Sequence, residues 1–344
     1  MRTLMVSLLA IILLPANILN AQVKFTWMKD KPGKWQYNYR INTSSAEEIR
    51  FKKQVEELSE WFHQNVPLFK KPMGFDVKVH VSRSESERQA KSPAHDALSA
   101  NLSFNLELFA RDGKPWKAEL PSASYYNYPC LNRIAGSGSW LGSIGQFDSF
   151  NNTKHDPKLE DAINRAASKL DEMMTVFPRE RELAPGLHLY KCQARGTFVV
   201  VFRPDRPAYL IPVTLRELAE ACTNYYSLFQ TLEIDRMLLK ELKKELAAFS
   251  ETDLNRPAYA GHPSNVVFPY SSDSRNLPIM KMNPDYWDRS LPSSAIQLMV
   301  FWDPGFSEQE MTAHLERFGY PIHSQILVNQ INWNDMVKFV ARKQ

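Results

Sequence analysis

The hydrophobic positions of this chain follow two periods, and the period of two occurs in short runs that predict β-strands. Aromatic side chains alternate within residues 22–44, which is typical of an edge strand. Six further runs are alternating or continuously apolar. These runs are residues 75–81, 102–108, 187–194, 197–203, 295–302 and 324–329. The third and fourth flank Arg195-Gly196 and predict a hairpin, because glycine suits a tight turn.

A period of 3.6 residues predicts amphipathic helices between these strands. Three helices begin with a serine or threonine followed three residues later by glutamate, the pattern of a capping box. The pairs are Ser45 with Glu48, Thr214 with Glu217, and Ser307 with Glu310. Asp156-Pro157 predicts a fourth start, for a helix whose apolar face continues to Phe177. Two more helices are expected at 234–249 and from Trp333 onward.

The order of these elements predicts an α+β fold, with mostly antiparallel hairpin strands packed against several amphipathic helices. Strands and helices do not alternate as βαβ units, which disfavours a doubly wound sheet. Pro178 and Pro185 bracket a polar segment, so we expect an N-terminal half at 22–180 and a C-terminal half at 185–344. Both halves combine hairpins with long helices, and the sequence leaves open whether they arose by duplication. Long irregular connections are predicted at 121–155 and 250–294.

The first 21 residues have the layout of a secretory signal peptide. Arg2 precedes an apolar run at 4–14, Pro15 ends the run, and Leu19-Asn20-Ala21 places small residues at a cleavage position. The run is too short to span a membrane. We therefore expect a mature protein that begins at Gln22, has no transmembrane segment, and resides in the periplasm or outside the cell.

Charge and cysteine content restrict the partners and the redox chemistry. The chain has a formal net charge of +4, which is too small to require a nucleic acid or an anionic membrane.

An exported protein can oxidise two of its three cysteines. Cys222 lies on an apolar helix stripe and is expected to be a buried thiol. Cys130 and Cys192 are therefore the predicted disulfide, although sequence alone does not fix the connectivity.

The common motifs of catalysis and cofactor binding do not occur in this sequence. No histidines stand three or four residues apart and no C-x-x-C is present, so no metal site is predicted. Walker A and G-x-G-x-x-G are missing, so no nucleotide cofactor is predicted. The Gly-Ser run at 136–145 does not contain G-x-S-x-G and is typical of a surface loop.

Two proline-rich loops, 203–209 and 283–292, carry the candidate binding residues. Rigid loops with arginine, tyrosine and tryptophan are common at binding surfaces. Alternatively, proline fixes each loop and the aromatic rings fill the edge of the core. The candidate residues are Arg203, Arg206, Tyr209, Asp285, Tyr286 and Trp287.

Several of these segments resemble uncharacterised secreted bacterial proteins. The resemblance is carried by Lys34-Trp35-Gln36-Tyr37, by the entry into the helix at 211–217, by Arg256-Pro257-Ala258-Tyr259 and by the run at 283–292. It implies a bacterial, exported origin and carries over no catalytic residues.

These observations favour an exported, non-catalytic protein that binds another protein, a glycan or other material of the cell envelope. The alternative is a secreted hydrolase whose site is assembled from residues distant in sequence. Such a site would use a serine or histidine of 121–155, or one of the isolated histidines.

Overall fold

The computed structural model describes ten segments of the chain. These are residues 26–39, 43–82, 96–109, 129–134, 141–143, 157–191, 196–228, 233–260, 270–271 and 274–340. The predicted leader at 1–21, Cys192 and most of the Gly-Ser run at 136–145 lie outside these segments.

The helices begin largely where the capping patterns predict. They are α1 (Ala46–Asn65), α2 (Pro67–Lys70), α3 (Pro157–Asp171), α4 (Leu215–Leu228), α5 (Glu233–Leu246), α6 (Glu251–Leu254), α7 (Glu308–Phe318), α8 (His323–Gln330) and α9 (Trp333–Val340). The three predicted capping boxes, which begin at Ser45, Thr214 and Ser307, are confirmed by reciprocal hydrogen bonds. Among the described helices, none combines the length and the apolar character needed to cross a membrane.

The strands form one large sheet and two smaller ones within the described residues. They are β1 (Trp35–Tyr39), β2 (Phe75–Ser82), β3 (Ala100–Leu108), β4 (Cys130–Leu131), β5 (Leu141–Ser143), β6 (Met174–Val176), β7 (Arg179–Ala184), β8 (Leu187–Lys191), β9 (Thr197–Phe202), β10 (Leu210–Pro212), β11 (Tyr259–Ala260), β12 (Tyr270–Ser271), β13 (Ile279–Met282) and β14 (Leu298–Asp303). The main sheet has the order β1-β2-β3-β4-β14-β9-β8-β7, and the second has the order β10-β13-β6-β5. β1 is parallel to β2, whereas the other pairings are antiparallel. The predicted α+β fold is confirmed.

Side-chain alternation in the central strands divides the core into layers. Val199 and Val201 of β9 point to one face of the main sheet, where they join a cluster with α1, α2, α8 and α9. Val200 points to the opposite face and joins a cluster that includes β6 and β10 of the second sheet. A third cluster joins Ile279 of β13 to α3, α4 and α5. The second sheet therefore lies between the main sheet and these helices, and β9 is apolar on both faces.

The predicted boundary at 178–185 coincides with β7, an edge strand of the main sheet. Residues 179–182 of this strand are charged and exposed, as is common where an edge must avoid pairing with another chain. Charged edge strands and interdomain linkers have similar compositions. The sequence of β7 therefore suggested a boundary between two halves. Strands of both predicted halves share the main sheet, with β4 of the first half between β3 and β14.

Residues 324–329 are helical, so the predicted strand is wrong. They belong to α8, whose buried residues include Ser324, Leu327 and Val328. This spacing of three and four residues places one helix face in the core. A short apolar run fits a strand or a helix equally well, and the packing of α8 against the main cluster decided between them.

Three other boundaries also differ from the sequence prediction. The helix expected to continue to Phe177 ends at Asp171, because the following residues form β6 and pair with β5 and β13. The predicted irregular connections at 121–155 and 250–294 contain short strands, among them β4 and β13. Strands of two to four residues carry too little periodicity to be recognised without their partners.

Candidate functional site

The two proline-rich loops, 203–209 and 283–292, lie against each other and are called here the loop pair. Arg206 donates from Nε to the Tyr286 carbonyl at 2.8 Å, and from Nη2 to the carbonyls of Asp285 at 2.8 Å and Trp287 at 3.1 Å. In the other direction, Asn283 Nδ2 donates to the carbonyl of Ala208 at 2.7 Å. One guanidinium thus fixes three consecutive backbone carbonyls of the opposite loop.

Arg203 makes the second connection within the loop pair. Its Nη1 donates to Asp288 at 3.0 Å, and its Nε and Nη2 donate to Asp205 at 3.2 and 2.6 Å. The hydroxyl of Ser290 and the Arg203 guanidinium lower the pKa of Asp288 to about 2. The backbone N–H of Arg203 also donates to the hydroxyl of Tyr286 at 3.0 Å. All three guanidinium nitrogens are used within the protein.

The aromatic rings of the loop pair are buried. Tyr209, Tyr286 and Trp287 are 2%, 0% and 3% exposed and belong to the cluster between the two sheets. This arrangement is the alternative in which the rings fill the edge of the core. Asp285 is exposed, whereas the guanidinium groups of Arg203 and Arg206 form hydrogen bonds within the loop pair.

The loop pair leads to a stability prediction for Arg206. We expect Arg206→Ala to lower the free energy of unfolding by about 1–2 kcal/mol, because three charge-assisted hydrogen bonds between the loops are lost. Arg206→Lys should not restore it, because a lysine ammonium lacks the planar fork that meets several carbonyls. Urea unfolding measures both changes. Arg236→Ala on the exposed face of α5 is the control, and a loss no larger than this control's would contradict the assignment.

The predicted disulfide joins Cys130 to Cys192, and only Cys130 lies among the described residues. Cys130 is a free thiol in β4 and is 3% exposed, whereas Cys192 lies outside the described residues. β4 pairs with β3 and β14 on its two sides, and Cys130 packs into the cluster between the sheets. Cys222 is a free, buried thiol, as predicted. Burial raises the pKa of both thiols to about 12, so neither is an activated nucleophile.

The isolated histidines considered for a hydrolase occupy different environments. His63 stacks on Trp35 with ring centroids 4.5 Å apart, and His323 is 1% exposed beside Trp27. His188 is hydrogen-bonded to neighbouring side chains at the edge of the main sheet. Within the described segments, no three His, Cys, Asp or Glu side chains are arranged to hold a metal ion.

A groove of about 380 Å³ runs along α4 and is called here the α4 groove. Its lining comes from one face of α4 and from the ends of α5 and α6. The lining residues are Arg216, Ala219, Glu220, Thr223, Asn224, Ser227, Leu246 and Leu254. The α4 members recur at spacings of three and four residues, so they form one continuous stripe on the helix.

The α4 groove has an aliphatic floor and a polar rim. Ala219, Leu246 and Leu254 supply the apolar contacts. Arg216 is neutralised by an ion pair with Glu251. Glu220 differs, because among the described residues no cation lies within ion-pair distance of its exposed carboxylate. Within the described part of the chain, the negative charge of Glu220 on the rim is therefore not compensated.

The sequence alone did not reveal this groove. A helical period relates the polar residues Arg216, Glu220, Thr223 and Ser227. Exposed helix faces commonly carry such residues, so this pattern does not indicate a groove. The groove exists because α5 and α6 bring Leu246 and Leu254 alongside this stripe. The available signal was a helix that is polar on one face and followed closely by two more helices.

Comparison with protein families, curated proteins and solved structures finds no match for this chain. Its function is therefore inferred from its own residues.

Proposed function

We propose that this protein is an exported, non-catalytic binding protein, and that the α4 groove binds a segment of another protein. The main support is the carboxylate of Glu220, which has no cationic partner among the described residues and lies above an aliphatic floor. The signal-peptide pattern of residues 1–21 supports export to the periplasm or beyond the cell.

The dimensions of the groove suit a short peptide. From Arg216 to Ser227, α4 rises by about 16 Å at 1.5 Å per residue. An extended chain covers that length with about five residues. The volume of about 380 Å³ falls in the range of pockets that enclose small ligands or a few side chains.

The chemistry of the lining selects the kind of peptide. Glu220 favours a cationic group, because an ammonium or guanidinium would form a charge-assisted hydrogen bond with it. Leu246 and Leu254 favour a neighbouring aliphatic side chain. None of the eight lining residues is aromatic, so the floor offers aliphatic contacts rather than ring stacking for a sugar. A basic, aliphatic protein segment therefore fits better than a glycan.

Selection from a displayed peptide library against purified chain 22–344 tests the proposal. We expect enriched peptides to place lysine or arginine next to leucine, isoleucine or valine. In fluorescence anisotropy, Glu220→Lys should weaken their binding at least tenfold, because attraction becomes repulsion. Glu241→Lys makes the same charge change on an exposed part of α5 and should alter binding less than twofold.

Two results would contradict the proposed occupant. The first is a set of selected peptides whose affinity does not respond to Glu220→Lys. The second is saturable binding of a neutral oligosaccharide that Glu220→Lys abolishes, without any selected peptide, which would assign the α4 groove to a glycan.

A further inference from the structure

A hydrogen-bond chain runs from the exposed edge strand β7 into the core. Arg179 Nη1 lies 3.2 Å from His188 Nε2, His188 Nδ1 lies 2.8 Å from the Tyr209 hydroxyl, and that hydroxyl lies 2.7 Å from the hydroxyl of Tyr190. A guanidinium only donates hydrogen bonds, so Nε2 is the acceptor and carries no proton. The ring proton is on Nδ1 and is donated to Tyr209. His188 is thus held in one tautomer, with its basic nitrogen facing exposed Arg179.

The surrounding backbone and side chains fix this arrangement. The His188 ring packs on Phe202 with centroids 4.3 Å apart, and the two tyrosines are buried. The β7–β8 pairing shifts register between Arg179 and Arg181. Such bulges redirect side chains and are frequent near functional sites. The imidazole is therefore positioned before any ligand arrives.

The charges at this position are not balanced. In the described part of the chain, no carboxylate lies within ion-pair distance of Arg179, and its guanidinium contacts the neutral imidazole of His188. Burial and the Arg179 charge lower the pKa of His188 to about 4, with Glu182 opposing them. Burial also raises the pKa of Tyr190 and Tyr209, so both hydroxyls stay neutral. The Arg179–His188 pair carries one positive charge, and above about pH 4 the imidazole becomes protonated only when an anion is present.

We propose that Arg179 and His188 form a binding site for an oxyanion, either a carboxylate or a phosphate group of a ligand. One anion oxygen replaces Nε2 as the acceptor for Arg179. Nε2 then takes up a proton from water and donates a second hydrogen bond to the anion, while Nδ1 continues to donate to Tyr209. Both bonds are charge-assisted, and the anion compensates both cations. The site lies on β7 and β8 and does not involve the α4 groove.

Proton uptake makes the expected affinity depend on pH. A ligand that binds together with one proton gains up to tenfold in affinity for each unit by which pH falls. We expect acetate and sulfate, tested separately, to shift the imidazole NMR signals of His188 in a saturable manner. Binding should be at least tenfold tighter at pH 5.5 than at pH 7.5. Both probes keep nearly constant charge over this range, and they distinguish a carboxylate from a tetrahedral oxyanion.

Variants separate this site from general surface charge. Arg179→Gln should abolish the saturable shift, and His188→Gln should abolish the pH dependence of binding measured by calorimetry. Arg181→Gln removes the same charge two residues along β7 and should leave both unchanged. An absence of saturable binding would overturn the proposal, as would pH-independent binding or an equal loss in Arg181→Gln. None of these outcomes depends on Glu220→Lys. A negative result for the anion site is therefore distinguishable from a negative result for peptide binding in the α4 groove.

Discussion

Replacing Asn132 by alanine should lower the free energy of unfolding by about 3–5 kcal/mol. The side chain is 0% exposed and satisfies four backbone groups. Its Nδ2 donates to the carbonyls of Leu98 and Ala295, both at 2.8 Å. Its Oδ1 accepts from the N–H groups of Gln297 at 2.7 Å and Leu298 at 3.2 Å. One amide thus joins β4, the residues before β3 and the start of β14.

Alanine would leave these four groups without their partner, at about 1–3 kcal/mol for each group that stays unsatisfied. Water that enters the polar space left by the amide should satisfy some of them, so the expected loss is that of about two groups. Asn132 also has φ of 53°, a left-handed conformation that alanine adopts at a cost of roughly 1 kcal/mol. Glycine tolerates that conformation. Asn132→Gly should therefore be more stable than Asn132→Ala by about 1 kcal/mol in the free energy of unfolding. It should still be far less stable than the parent protein.

Urea unfolding followed by circular dichroism measures these differences. Asn105→Ala on the polar face of β3 is the control and should cost less than about 1 kcal/mol, as surface changes usually do. Asn132→Asp adds a chemical test, because a carboxylate presents an oxygen to the carbonyls of Leu98 and Ala295 and cannot donate to either. We expect it to be at least as destabilising at pH 7. A loss near that of Asn105→Ala would show that the amide network does not stabilise the fold.

Acid should destabilise the protein by about 3 kcal/mol between pH 7 and pH 4 through His323. This residue is 1% exposed and packs edge-on against Trp27 and Phe75. Neither ring nitrogen has a hydrogen-bond partner among the residues that the structure describes. Burial, with a smaller contribution from His314, lowers its pKa from 6.5 to about 3. The folded protein therefore keeps this ring neutral where the unfolded chain protonates it.

The direction of this pH effect follows from the protonation of His323 in the folded and the unfolded chain. Above pH 6.5 the ring is neutral in both states, so His323 adds no pH dependence. Below pH 6.5 the unfolded chain binds a proton that the folded chain does not, and stability falls by about 1.4 kcal/mol per pH unit until about pH 3. The pKa of His188 is also lowered by burial, so it contributes in the same direction.

His323→Leu should flatten this acid dependence, because leucine has no titratable group. At pH 7 the variant should be as stable as the parent or slightly more so, since two unsatisfied buried nitrogens are removed. Urea midpoints at pH 7, 5.5 and 4 measure both effects. His63→Gln, at a partly exposed position on α1, should retain the parental acid dependence. Equal slopes for the parent and His323→Leu would contradict the role of His323.

Local sequence patterns predicted the elements whose hydrogen bonds and side-chain alternation involve residues a few positions apart. Ser45 and Glu48 form the hydrogen bonds of a capping box within one helical turn, so their spacing predicted the start of α1. The alternation of Val77, Val79 and Val81 likewise predicted β2 and its buried face. These interactions depend on residues a few positions apart, which the sequence shows directly.

Elements whose packing partners are distant in the sequence were predicted wrongly or not predicted at all. β4 consists of Cys130 and Leu131, and it is a strand because β3 and β14 pair with it. The run at 324–329 became a helix because its face with Leu327 packs on the main sheet. The pattern of short segments does not contain this information, since the partner strands and faces are supplied from elsewhere in the chain.

The candidate sites show the same division. The sequence by itself determined that 203–209 and 283–292 are rigid loops rich in arginine and aromatic residues. Only the tertiary structure decided that Arg206 binds the carbonyl of Tyr286, 80 positions away, so that the loops hold each other. It also decided that α5 and α6 turn a polar stripe of α4 into a groove. Periodicity and capping come from contacts within a few residues, whereas sites come from contacts that form only when the chain folds back on itself.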